Sequence, residues 1–171
     1  MKLIGLIVAA LLLLLLASPA LALKVGEDAP LFSLWDGTGS YFHLSDYIGE
    51  KKKEPVKGLI LNFFSSTCGP CKNELPVLNS LVDEFEKKGI KIVIIGYKED
   101  FDKFMDMLDK LKVDKPVILS DRHGKAGEKY GVYGLPHTVF IDSKGKVRDI
   151  IRGELPNIGK VLREKAKKLL K

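Results

Sequence analysis

The sequence predicts an α/β fold, a central mixed β-sheet flanked by helices, and three observations point to it. Short apolar runs at residues 58–64, 90–95 and 117–119 alternate with stretches whose apolar residues recur every three to four positions. Such alternation builds a sheet with helices packed over its faces. The runs at 138–141 and 147–152 are separated only by Asp142-Ser143-Lys144-Gly145, which closes a hairpin, so part of the sheet is antiparallel. The run Gly58 to Phe64 is largely apolar on both faces, as a central strand covered from both sides must be.

Taken in order, the chain of 171 residues opens with Lys2, an unbroken apolar run from Leu3 to Leu16, and the small-x-small triplet Ala20-Leu21-Ala22. That is the pattern of a signal peptide over residues 1–22, cleaved after Ala22. The alternative is an uncleaved anchor, since Leu3 to Leu23 reaches the roughly 20 residues that span a bilayer. Either way the folded domain, residues 23–171, is expected to be exported. Gly26 to Leu34 leads through Asp36-Gly37 to Tyr41-Phe42-His43-Leu44, a β-hairpin ahead of the main sheet, and Ile48 to Lys57 is a polar connection.

After the strand at 58–64, Leu75, Leu78, Leu81, Val82 and Phe85 have the spacing of a helix with one buried face, which Gly89 ends. Pro76 lies inside that helix and should kink it. Ile90 to Ile95 is the next strand. Phe101, Phe104, Met105, Leu108 and Leu111 make a second helical stripe, Val117 to Leu119 a short strand, and Gly124 to Tyr130 a short helix. The hairpin of 138–141 and 147–152 follows, and an amphipathic helix from about Asn157 to Leu170 closes the chain.

The chemistry is concentrated at the junction of the 58–64 strand with its helix, where Ser65-Ser66-Thr67 precedes the only two cysteines, Cys68 and Cys71. The first turn of a helix offers unpaired N–H groups and a partial positive charge, and both favour a thiolate. A cysteine there has its pKa lowered from about 8.5, to as little as ~3.5 in extreme cases, which makes it nucleophilic near neutral pH. Cys71, one turn deeper on the same face, is placed to attack a mixed disulfide formed at Cys68. Gly69 lets the chain turn tightly, and Pro70 suits a first turn where its missing N–H costs little.

Rival readings are weaker. Zinc needs two more ligands, and His43, His123 and His137 lack zinc-site spacing, so no metal and no cofactor is expected. A purely structural disulfide would close so short a loop that it constrains the unfolded chain little. The net charge of +6 falls when the leader removes Lys2, leaving 27 basic against 22 acidic residues. That surplus sits on Lys51 to Lys53 and on Lys165, Lys167, Lys168 and Lys171 without interleaved aromatics, which argues against a nucleic-acid site. Disulfides persist in exported compartments, yet no cysteine lies outside the pair, so the pair itself is the function.

Cys68-Gly69-Pro70-Cys71 after an apolar strand, with Gly134-Leu135-Pro136-His137-Thr138 before a later one, resembles the thioredoxin superfamily. Within it, Cys71-Lys72-Asn73-Glu74-Leu75-Pro76 is similar to the CxxCxxE-Pro pattern of the exported TlpA/ResA/CcmG-like reductases. The entry from Gly26 looks like that branch's N-terminal hairpin, and roughly Lys98 to Asp121 its inserted helix-strand element. Asn62 stands where thioredoxins have a buried aspartate, and Thr67 where they have tryptophan.

The resemblance implies a thioredoxin-like fold and a thiol–disulfide oxidoreductase that reduces client proteins through a Cys68–Cys71 redox disulfide. Cys68 is then the nucleophile and Cys71 the resolving thiol. Pro136, expected cis, and Leu135 form the substrate platform together with Gly69 and Pro70. Glu74, three residues after Cys71, reads either as a surface residue favoured by the helix dipole or as a buried carboxyl that relays protons; the resemblance selects the relay. His137 is expected at the rim beside Pro136, where it shapes partner choice.

Implied clients include the oxidised haem-binding cysteines of apocytochrome c, with electrons from a membrane thiol carrier, in the periplasm or at the outer face of the cytoplasmic membrane. A monomer is expected, touching the membrane only through an uncleaved leader. The alternatives are a disulfide-forming oxidase or isomerase, near −120 mV rather than about −270 mV, and a non-catalytic module that holds peptides along Leu135-Pro136. A peroxidase is disfavoured because Leu61 stands where a proline is expected four residues before Ser65.

Overall fold

The computed structural model describes residues 23–171 apart from 51 and 55, and the leader expected over residues 1–22 lies outside the described residues. The elements are β1 (Ser33–Trp35), β2 (Tyr41–His43), β3 (Gly58–Phe64), α1 (Gly69–Glu86), β4 (Ile90–Tyr97) and α2 (Phe101–Lys110), then β5 (Val117–Asp121), α3 (Lys125–Lys129), β6 (His137–Asp142), β7 (Val147–Arg152) and α4 (Ile158–Ala166). Short 3-10 turns follow β2 and α4.

One seven-stranded sheet runs in the order β2-β1-β5-β4-β3-β6-β7. β3, β4 and β5 are parallel, joined by α1 and α2, while β6 and β7 are antiparallel additions at one side. The N-terminal hairpin precedes the main strands in the chain, as expected, and it extends the sheet, because β1 pairs antiparallel with β5 at Trp35 and Ser120. An exposed edge strand is a template for aggregation, and this addition covers the β5 edge.

All seven residues of β3 are buried, which explains its apolar character on both faces. Ile60 and Phe64 pack with α1, α2 and α4 on one face, where Leu75, Leu78, Phe85, Phe104 and Leu162 meet them. Leu59, Leu61 and Phe63 point the other way, onto Phe32, Tyr130 and the segment before β3. Period-2 alternation thus divides the core into two clusters.

α1 continues through Pro76 to Glu86, and Pro76 is exposed. The terminal helix is shorter than its pattern implied: Asn157, with a left-handed φ of 54°, marks its start, and after Ala166 it tightens into the 3-10 turn Lys167–Leu170. That turn brings Leu169 against Gly58, where a Cβ would lie 2.7 Å from the Ile141 carbonyl oxygen and 3.0 Å from Leu169 Cβ. Gly58→Ala is therefore expected to cost about 2 kcal/mol, the range of overpacked cores, read as a lower urea midpoint at unchanged slope.

Candidate active site

β3 delivers its carboxyl end into the turn Ser65-Ser66-Thr67, where the Cys68 N–H donates to the Ser65 carbonyl at 3.1 Å. Cys68 occupies the N-cap of α1, and the Cys71 N–H donates to Cys68 Sγ at 3.3 Å. Cys68 and Cys71 form a disulfide, with Cα atoms 5.4 Å apart. Cys68 is partly exposed and Cys71 fully buried, so a partner's sulfur can reach only the first of them. Gly69 and Pro70 lie exposed beside it at the start of the helix. Once the bond is reduced, the same Cys71 N–H and the helix terminus favour a Cys68 thiolate.

Glu74, one turn further along α1, is 4% exposed. Asn62 on β3 and Thr138 on β6 face each other across the sheet, and both side chains turn to it. Asn62 Nδ2 donates to Glu74 Oε1 at 3.0 Å and to Thr138 Oγ1 at 2.9 Å, and the Thr138 hydroxyl donates to the same Oε1 at 3.3 Å. Burial pushes the Glu74 carboxyl up to about 7, against the pull of these two hydrogen bonds, and the Glu154 carboxylate adds to the rise. A carboxyl poised near neutrality beside a buried thiol can take and return that thiol's proton.

The Leu135–Pro136 peptide bond is cis and immediately precedes β6. Because Phe63 pairs with His137, Pro136 lies at the sheet edge where β3 ends and the cysteine turn begins. Leu135 is partly exposed and Pro136 buried. The structure thus brings Cys68, Gly69, Pro70, Cys71, Glu74, Leu135 and Pro136 to one end of the sheet. A groove of about 600 Å³ runs past Pro70, Glu74 and Val77 to Glu154 and Leu155 on the β7–α4 connection and Lys160 in α4. Asn73 Nδ2 reaches across it to Glu154 Oε1 at 3.2 Å.

His137 is not at the rim. It is 1% exposed, its ring sits edge-on to Phe63 at 6.2 Å, and burial together with Arg152 drives its imidazole down to about 4. The reason is strand alternation: Thr138 takes the face toward α1, so its neighbour takes the opposite one. Sequence reasoning also missed Glu154, and it missed Tyr133, which stands 77% exposed just ahead of Leu135. An aromatic followed by Gly134 before the proline was the available signal.

Comparison with known proteins matches residues 25–150 to the AhpC/TSA family. The thiol-disulfide oxidoreductase ResA of Geobacillus thermodenitrificans is 34% identical over 134 residues, 78% of this chain and 72% of that protein. ResA of Bacillus subtilis is 32% identical over 134 residues, 78% and 70% of the two. Among solved structures, a Chlorobium tepidum protein assigned as the thiol:disulfide interchange protein DsbE superposes with a TM-score of 0.76 at 27% identity, covering 88% of this chain and all of that one. StoA from Bacillus subtilis shares the fold, with a TM-score of 0.64 at 22% identity over 80% of this chain and 96% of its own.

The Glu74 shift has a measurable consequence for stability. An unfolded chain releases this proton near 4.5, whereas the folded one holds it to about 7. The folded state therefore binds more protons in that window, and the contribution of Glu74 to stability falls as pH rises through it, by on the order of 3 kcal/mol in all. His137, whose folded value is depressed, acts oppositely: its cost appears as pH falls from 6.5 toward about 4. The difference between the wild type and Glu74→Gln isolates the first effect. The variant should gain on the wild type between pH 5 and pH 8 in urea unfolding, and a pH-independent difference would contradict the buried carboxyl.

Proposed function

The chain belongs to the AhpC/TSA family, and from that premise we propose that it is an exported thiol–disulfide oxidoreductase of the ResA kind, acting as a reductant of client proteins. One observation carries the reading: a partly exposed sulfur at a helix N-cap, receiving a backbone N–H, with a buried partner sulfur one turn behind it.

In the reduced protein the Cys68 thiolate attacks one sulfur of a client disulfide, and the client's other sulfur leaves as a thiolate that takes a proton. Cys71 gives its proton to Glu74 and attacks Cys68 Sγ. The mixed disulfide breaks, the second client thiolate departs with a proton returned from Glu74, and the Cys68–Cys71 bond remains. Two electrons have passed to the client. The extended client segment lies along Leu135 and Pro136, whose free backbone edge can pair with it, and over Gly69 and Pro70.

Recharging the pair requires an external dithiol, for which a membrane thiol carrier is the donor in this reading. The clients are oxidised haem-binding cysteine pairs of apocytochrome c, met in the periplasm or at the outer face of the cytoplasmic membrane. Support comes from the ResA relatives and from the leader pattern of residues 1–22.

Cys71→Ser removes the resolving thiol, so mixed disulfides should accumulate on Cys68 and identify clients by mass spectrometry, whereas Cys68→Ser should capture none. A potential near −270 mV accords with a reductant, and one near −120 mV would reverse the direction of electron flow. Glu74→Gln should slow client reduction at pH 7 by about a hundredfold, the low end for a proton-transfer group. An unchanged rate in stopped-flow measurements would remove Glu74 from the mechanism.

A further inference from the structure

A second carboxyl holds the turn that precedes Cys68. Glu99 follows β4 in the connection to α2, and its Oε2 accepts the Ser66 N–H at 2.8 Å. Its Oε1 is shut off from solvent and has no hydrogen-bond partner among the described residues. Burying a carboxylate oxygen without a donor opposes folding. A surface glutamate would turn both oxygens to water.

The neighbouring residues hold Glu99 in that position. Lys98 adopts a left-handed φ of 54°, unusual for a side chain this long, while its N–H donates to the Asp121 carbonyl at 3.0 Å. Asp100 caps α2 by accepting from Asp102 N at 3.1 Å and Lys103 N at 3.4 Å. Between a bend and a cap, Glu99 is the residue left to point at the cysteine turn. Backbone cost and an orphaned oxygen thus coincide beside the reacting sulfurs, where such costs are commonly tolerated. Ser66 lies inside the turn that the Cys68 N–H closes on the Ser65 carbonyl at 3.1 Å, so a hold on Ser66 bears on the placement of Cys68.

We propose that Glu99 is a positioning residue of the redox reaction: its carboxyl clamps Ser66 and thereby the turn that presents Cys68 to a client's disulfide. The inference rests on the reading of Cys68 as the attacking sulfur. Burial raises the Glu99 pKa against the Ser66 hydrogen bond, and the charged group bearing on it, the Asp100 carboxylate, adds to the rise. The Lys98 ammonium is engaged by Glu128 at 3.3 Å, and residues 65–67 contribute only hydroxyls.

The test compares Glu99→Ala, which deletes the acceptor, with Glu99→Gln, which keeps an oxygen for Ser66. The reduced full-length chain is reacted with a small aromatic disulfide under pseudo-first-order conditions, and Ser66 amide exchange is followed by NMR. Loss of one such hydrogen bond predicts about a tenfold slower reaction and at least tenfold faster Ser66 exchange in Glu99→Ala. Glu99→Gln should stay within about twofold on both.

A wild-type rate in Glu99→Ala, or equal losses in both variants, overturns the proposal. If Glu99→Ala does not fold, the wild type decides: a Ser66 amide exchanging like an unstructured one overturns the clamp, and a protected one upholds it. Failure of the wild type itself to react would defeat the oxidoreductase reading and the positioning role with it, while the exchange data would still report the clamp.

Discussion

The contact on which the rest of the molecule depends is the Cys71 N–H on Cys68 Sγ, 3.3 Å long. It exists only because a strand ends and a helix begins within four residues, so that a side chain caps the helix with sulfur where serine or aspartate is usual. Everything upstream serves that junction. β3 is buried over its whole length and paired on both sides, to β4 and to β6, so its carboxyl end cannot drift. α1 is held through Leu75, Leu78, Leu81 and Phe85, and its N-terminus inherits that rigidity.

The same register that places the sulfurs places the Glu74 carboxyl. Asn62 and Thr138 form one cross-strand pair, and the helix drops Glu74 onto it. A purely apolar pocket would raise the carboxyl further and keep it protonated at every useful pH. An open, wet site would leave it near its ordinary value and always ionised. Two donors within an otherwise buried site hold it between these extremes. Cys71 is fully buried, so water is a poor recipient for its proton, and in the mechanism proposed above Glu74, one turn away, takes that role.

Much of this was legible beforehand because the responsible signals are local. Cys68 and Cys71 reveal their chemistry by spacing, and the helix after them by its apolar period. Glu74 is read from its offset to Cys71 together with the family pattern. Pro136 acquires meaning only in company with the cysteines. His137 was misplaced because the strand's phase is fixed by pairing across to Phe63, a partner 74 positions away. Glu99 was invisible for a related reason: nothing in Lys98-Glu99-Asp100 announces that a left-handed bend will aim the middle residue at Ser66. The hairpin's attachment to β5 likewise rests on one pair of residues, Trp35 and Ser120.

A protein that makes and breaks its own disulfide must not depend on that bond to stay folded. The Cys68–Cys71 bond spans a sequence separation of three, and in the chain-entropy picture so short a loop contributes about 2 kcal/mol, the low end for disulfides. The two apolar clusters, one on each face of the sheet, together enclose most of the large side chains, and the sulfurs meet only the first of them, Cys71 within it and Cys68 at its margin. Stability therefore comes from residues that do not change during the reaction. Chemistry is confined to the rim, where the turn, the cis proline and the groove beside Glu74 are free to meet a partner.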